Sequence, residues 1–251
     1  MTQAPFGRRL AEVLAAESVG PYRLLRCTDP GGPAPGAGQF YMLAAAERWG
    51  GGADERPYLP RAFSYLRHRD GQLEFLLDDV GPGTRRLREL GEGDGLWLLG
   101  PLGRGFEPPS EGRAPLLVGG GIGIVPLVAL QAELAAPALM GFRDAAHAEA
   151  AALLDDVTVA TDDGRVGHHG LVTDLLEEHG DGAEVYACGP PAMLEAIRAR
   201  GIPAQLALES GMACGFGACF GCVVPTHDGY VRTCVDGPVL AAADLVEVPA
   251  H

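Results

Sequence analysis

Leu116-Leu117-Val118-Gly119-Gly120-Gly121-Ile122-Gly123 divides the chain into two rhythms. An apolar strand runs into a glycine-rich turn, and residues 127–135 then carry a helical pattern with Pro126 tolerable in its first turn. That order presents backbone N–H groups near a helix N-terminus, where a pyrophosphate can approach. Gly119, Gly120, Gly121 and Gly123 are therefore candidate dinucleotide contacts. They read equally as a tight strand-to-helix turn, because the strict Rossmann fingerprint is not met.

Downstream of this turn, strands are expected at 138–142, 157–161 and 185–188, and helices at 171–179 and 192–200. Strands alternating with helices imply a parallel sheet with helices on its faces. Asp162 ends one of these strands, where ligands of such sheets bind, although Asp162-Asp163-Gly164 also reads as a plain turn. Cys188-Gly189-Pro190-Pro191 breaks another strand and starts a helix, which puts Cys188 and Gly189 at the same edge. The alternative for Cys188 is a buried structural cysteine.

Upstream, short strands at 22–28, 39–43, 62–67, 73–78 and 95–99 suggest an antiparallel barrel or sandwich. Segment 48–60, with Gly50-Gly51-Gly52, reads as an exposed insertion. Arg61-Ala62-Phe63-Ser64 opens a strand in which Arg61 suits a phosphate and Ser64 can hydrogen-bond a ring heteroatom. Such a pair is also common on ordinary surfaces. Gly81-Pro82-Gly83-Thr84 precedes a short helix at 85–90 and offers a second helix start for a pyrophosphate.

Near the C-terminus, Cys214, Cys219, Cys222 and Cys234 follow the spacing C-x4-C-x2-C-x11-C. The first three match the plant-type spacing for thiolates that hold a [2Fe–2S] cluster. Gly215, Gly217 and Gly221 give the loop the φ > 0 freedom that wrapping a cluster requires. A structural zinc site is the competing reading, but zinc knuckles usually pair their cysteines in two short units. Of the other cysteines, Cys27 reads as a small buried hydrophobe.

The 251 residues allow two ordinary domains or three small ones, and 47% hydrophobic content supplies real cores. A net charge of −14 without a basic run argues against nucleic acid and against an anionic membrane surface. No apolar run is long enough to span a bilayer. Arg8-Arg9 is followed by a stretch containing Glu12 and Glu17, which reads as mature protein and not as an export signal. A reducing, cytoplasmic setting is expected. The seven histidines, His147 among them, show no metal-ligand spacing and receive no role.

Together these motifs resemble the ferredoxin reductase-type flavoprotein superfamily, and within it the electron-transfer subunits of type B dihydroorotate dehydrogenase. Arg61-Ala62-Phe63-Ser64 resembles the flavin motif Arg-Pro-x-Ser, and Gly83-Thr84 its pyrophosphate Gly-Thr. Gly100 to Phe106 resembles Gly-Pro-Leu-Gly-x-Gly-Phe, Gly119 to Pro126 the nicotinamide-domain glycine motif, and Cys188-Gly189-Pro190 its second ligand loop. Residues 209–222 and 234–239 are similar to the cluster loop and the segment with the fourth ligand. Ala62 replaces the usual Pro, and the 48–60 insertion is longer than the family pattern.

The resemblance implies three parts: an antiparallel FAD-binding β-barrel (1–110), a Rossmann-like NAD-binding α/β domain (111–205) and a small C-terminal [2Fe–2S] domain (206–251). The backbone around Leu76, Leu77 and Asp78 is then expected to line the flavin. The implied partner is an FMN-containing dihydroorotate dehydrogenase catalytic subunit, in a heterotetramer with two copies of each chain. Electrons would pass from that FMN through the cluster and FAD to NAD⁺, in pyrimidine biosynthesis. NAD takes a hydride while a cluster carries single electrons, so the flavin must sit between them. No acid–base catalytic residue is expected in this chain. The alternatives are a small subunit of an NAD(P)H–ferredoxin oxidoreductase, sulfide dehydrogenase or hydrogenase and, outside enzymes, a zinc-stabilised adaptor.

Overall fold

The computed structural model describes residues 7–50, 57–179 and 182–249. The middle of the 48–60 insertion lies outside the described residues.

The N-terminal part is one antiparallel sheet of β1 (Arg9–Val19), β2 (Tyr22–Thr28), β3 (Phe40–Ala45), β4 (Arg61–Ser64), β5 (Arg67–Arg69), β6 (Gln72–Leu77) and β7 (Gly95–Leu102). Its strand order is β4-β3-β7-β1-β2-β6-β5. The edge strands β4 and β5 are consecutive in the chain, parted by Tyr65 and Leu66 alone, so the sheet must curl round. The result is a half-barrel, since β4 and β5 do not pair with each other. Residues 62–67 were expected as one strand, but the buried Tyr65 and Leu66 turn the corner between two. Alternation builds the interior: Leu25 and Cys27, Leu73, Phe75 and Leu77, and Leu96 and Leu98 are all fully buried. Each such leucine contributes about 2 kcal/mol of burial.

β1 is absent from the sequence reading. Its Ala, Leu and Glu content favours a helix, but pairing with β2 on one side and β7 on the other overrides that preference. α1 (Pro82–Arg88) starts three residues earlier than expected, with Pro82 in its first turn.

The second sheet contains β8 (Ala114–Gly120), β9 (Ala138–Phe142), β10 (Val157–Thr161), β11 (His168–His169), β12 (Ala183–Cys188) and β13 (Ala204–Ala207), all paired in parallel. Its helices are α2 (Ile124–Leu134), α3 (Ala145–Ala148), α4 (Val172–His179) and α5 (Pro191–Ala199). The cluster segment adds a hairpin of β14 (Val223–Thr226) and β15 (Gly229–Arg232), then β16 (Val239–Ala241). β16 pairs antiparallel with β13 and completes the order β11-β10-β9-β8-β12-β13-β16. The expected boundary at 205/206 therefore falls inside β13, and the third segment is stitched onto the second sheet.

The chain leaves β8 toward β9 on one side and returns to β12 on the other. This is a topological switch point, where crevices form beyond the strands' carboxyl ends. One packed core runs from the half-barrel through Tyr22 and Leu66 into Ile124, Val125 and Val128 of α2. The two sheets thus share an interior. Among the described residues no helix is long and apolar enough to cross a membrane.

Candidate functional site

Two clefts meet at the switch point. The first, of about 280 Å³, draws on all three parts of the chain. Arg61, Ala62, Phe63 and Ser64 come from β4, Leu76 from β6, Asp78 just beyond it, Thr84 from α1, Cys188 from β12, and Glu209, Ser210 and Met212 from the cluster segment. Apolar walls with a few convergent polar groups suit a flat conjugated ring. Leu77, by contrast, is fully buried in the half-barrel core and does not reach this cleft. Gly83 stands behind the wall: a Cβ there would come 2.5 Å from Arg61 Nε, so its bareness lets the guanidinium lie against the start of α1. The Thr84 hydroxyl accepts from the Val80 and Gly81 N–H groups and donates to the Gly81 carbonyl, each at 3.0 Å. Its side chain shapes the loop.

Cys188 is buried, and that burial, helped by the negative charge of Glu209, pushes its thiol well above the ordinary range. It stays protonated at neutral pH.

The second cleft, of about 410 Å³, lies over the carboxyl edge of the parallel sheet. Gly120, Gly121 and Asp162 line it, with Tyr22, Asp78, Arg143 and His147. Gly119, Gly123 and Gly189 do not. A Cβ on Gly123 would collide with the Cys188 carbonyl, and one on Gly189 would lie 2.8 Å from Gly120 N. These glycines let the loops after β8 and β12 pack backbone to backbone. His147, which the sequence left without a role, donates from Nδ1 to Asp144 Oδ1 (2.6 Å), bonds Arg143 and meets Tyr22 edge-on. Nothing in the local spelling marked Tyr22 or Arg143, because the half-barrel and the α/β sheet supply them separately.

The four late cysteines fall into two couples. Cys222 Sγ lies 3.1 Å from Cys234 Sγ, and both are buried against Phe40 and Met42. Cys214 is bonded by the Cys219 side chain; Cys219 is exposed. Burial alone would raise the Cys214 thiol, but N–H groups of Phe216, Cys219 and Ala218 turned toward it bring it down to about 6. Burial and the neighbouring Cys222 push Cys234 up to about 12. Among the described residues no group of three or more His, Cys, Asp or Glu side chains converges tightly enough for a single ion. Two thiol couples and a ring of inward N–H groups suit a two-iron cluster, which takes two ligands per iron. Gly215 (φ 79°) and Gly217 (φ 87°) take left-handed conformations as expected, but Gly221 does not; Phe220 (φ 56°) makes that turn instead.

Phe40 joins the thiols to the first cleft: it lines the cleft on one side and packs with Cys222 and Cys234 on the other.

The architecture is that of the ferredoxin reductases. One chain of the NADH-dependent reduced ferredoxin–NADP oxidoreductase superposes with a TM-score of 0.79, at 24% identity, over 95% of this chain and 90% of that one. The ferredoxin reductase of carbazole 1,9a-dioxygenase gives 0.63 at 24% identity, over 77% of this chain and 64% of that one. Residues 209–246 match the iron–sulfur cluster binding domain of dihydroorotate dehydrogenase B. The dihydroorotate dehydrogenase B (NAD⁺) electron transfer subunit of Geobacillus thermodenitrificans is 42% identical over 83% of this chain and 86% of its own length. That of Caldanaerobacter subterraneus is 37% identical over 86% and 89%. The chain belongs to the family of dihydroorotate dehydrogenase B electron transfer subunits.

Proposed function

We propose that the chain carries electrons from the FMN of a dihydroorotate-oxidising partner subunit, through a [2Fe–2S] cluster and FAD, to NAD⁺. The observation that carries this reading is the first cleft, where Ser64 and Arg61, Cys188, and Glu209, Ser210 and Met212 converge and Phe40 backs onto the thiols. When bound, the flavin exchanges single electrons with the cluster and a hydride with NAD.

In this reading Cys214 and Cys219 hold one iron, and Cys222 and Cys234 the other. Ser64 hydrogen-bonds the isoalloxazine ring, Arg61 balances the FAD phosphates, and Phe63, Leu76 and Asp78 wall the ring. Cys188 borders the space for the nicotinamide as a neutral thiol. Gly120, Gly121 and Asp162 receive the rest of NAD. Segments 1–110, 111–205 and 206–251 each serve one of FAD, NAD and the cluster. The partner docks over the exposed Cys219, Phe216 and Phe220, in a cytoplasmic heterotetramer with two copies of each chain.

The test is anaerobic purification followed by metal, flavin and paramagnetic resonance analysis. We expect FAD, about two irons per chain and a reduced-cluster signal. A colourless protein containing zinc would overturn the reading. Co-purification with the partner and an NAD⁺-dependent orotate assay tests the pathway.

A further inference from the structure

Tyr22 belongs to the half-barrel, yet it lines the cleft of the α/β sheet. It is carried there by the β1–β2 hairpin, in which Val19 pairs with Tyr22 across Gly20 and Pro21. The hairpin abuts α3 so closely that a Cβ on Gly20 would collide with the Ala146 carbonyl. The Tyr22 ring stands edge-on to His147, with centroids 5.5 Å apart and planes at 85°. His147 is itself fixed by Asp144 and Arg143.

Only 2% of the residue is exposed. Its hydroxyl is not sealed off without a partner, as the Tyr41 hydroxyl is; Tyr22 lines the cleft. The nearest feature is the glycine turn: a Cβ on Gly121 would sit 3.8 Å from the Tyr22 hydroxyl oxygen. Gly121 is left-handed (φ 54°) and lines the same cleft. Arg143 lines the same cleft, and its charge bears on the phenol against those of Asp78 and Asp144. A ligand phosphate over the glycine turn can meet the guanidinium and the hydroxyl together.

We infer that the Tyr22 hydroxyl donates a hydrogen bond to the pyrophosphate of a dinucleotide lying over the Gly120-Gly121 turn, making Tyr22 a positioning residue lent by the flavin-side domain. This rests on the second cleft being the dinucleotide site. Burial, and then the charge of Asp78, raise the phenol to about 12, outweighing the opposite pull of Arg143, so the donor keeps its proton at physiological pH.

The probe is ADP-ribose, which has the pyrophosphate without the nicotinamide, measured against adenosine, which has no phosphate. Titrations use the cofactor-loaded chain, wild type and Tyr22→Phe. The ring and its contact with His147 remain in this variant, so its melting temperature and visible spectrum should match wild type. ADP-ribose affinity should fall on the order of 10-fold, as for a hydrogen bond to a charged group. Adenosine binding should be unchanged, and KM for NAD⁺ should rise with kcat held. Tyr22→Leu, a second variant, should lose ADP-ribose affinity equally. Unchanged ADP-ribose binding in both variants overturns the inference, and so does an equal loss for both ligands, which would mark a structural role. If wild type binds neither ligand, the assignment of the cleft to a dinucleotide fails first, and the inference falls with it.

Discussion

At the scale of single residues, the loops after β8 and β12 depend on side chains that are missing. Gly123 faces the Cys188 carbonyl, which is held in β12 by pairing with β8 and β13 and cannot retreat as a flexible side chain would. Gly123→Ala should therefore cost on the order of 2 kcal/mol, as overpacking does, and displace both loops. Thermal melting together with the KM for NAD⁺ would show it; a variant with wild-type values for both would contradict the packing. Cys219 presents the opposite case. It is exposed and bonds Cys214, so Cys219→Ser should leave the fold intact. The variant should lose cluster absorbance and transfer to one-electron acceptors. An unaltered visible spectrum would count against its role as a ligand. The glycines of both motifs were legible as motifs, but which of them face a ligand and which only another loop was not. That distinction depends on neighbours distant in the chain.

At the scale of elements, the C-terminal segment is fastened by specific ties. Glu195 on α5 accepts from Arg198 at 2.6 and 2.8 Å and from Val248 N at 2.9 Å. The Arg198 side chain and the Val248 N–H hold the Glu195 carboxyl down at about 2. A carboxyl lowered on folding stabilises the native state above its unfolded value, about 4.3, and that contribution is lost as pH falls toward 2. Glu195→Gln should therefore flatten the acid dependence of stability between these values. Denaturant titrations at a series of pH values would read this; parallel pH profiles for the two proteins would argue against it. Many elements were legible: β2, β9 and β10 match their expected spans, and α1, α2, α4 and α5 start within three residues of theirs, while the four-residue α3 was not expected. β1 was not, because Arg9–Val19 is composed like a helix and becomes a strand only between β2 and β7. Likewise β16, three residues long, is a strand only because β13 offers an open edge.

At the scale of the whole molecule, the half-barrel and the parallel sheet share a core, while the cysteine loop lies outside it, seated on Phe40 and Met42. Removing iron with a chelator should accordingly loosen residues around 214–234 and leave the two sheets folded. Hydrogen exchange would locate the change, and cooperative loss of far-ultraviolet circular dichroism would show that the cluster instead holds up the entire chain. The buried ion pair of Arg9 and Asp29 (2.6 Å) lies in the half-barrel. Asp29→Ala should destabilise by about 3–5 kcal/mol, because it strands a buried guanidinium; chemical denaturation measures this directly.

The chain's spelling alone singled out the four late cysteines, the alternation of a β-rich part with an α/β part, and the glycine turn at the head of α2. Short-range spacing and periodicity carry those features, and they survive in one dimension. Folding decided the rest: the curl that makes β4 and β5 neighbours, the stitching of β16 onto β13, and the arrival of Tyr22, Arg143 and His147 in one cleft. Each of these joins residues far apart in sequence, and the choice among possible partners is made by the burial and backbone pairing gained when the elements pack together.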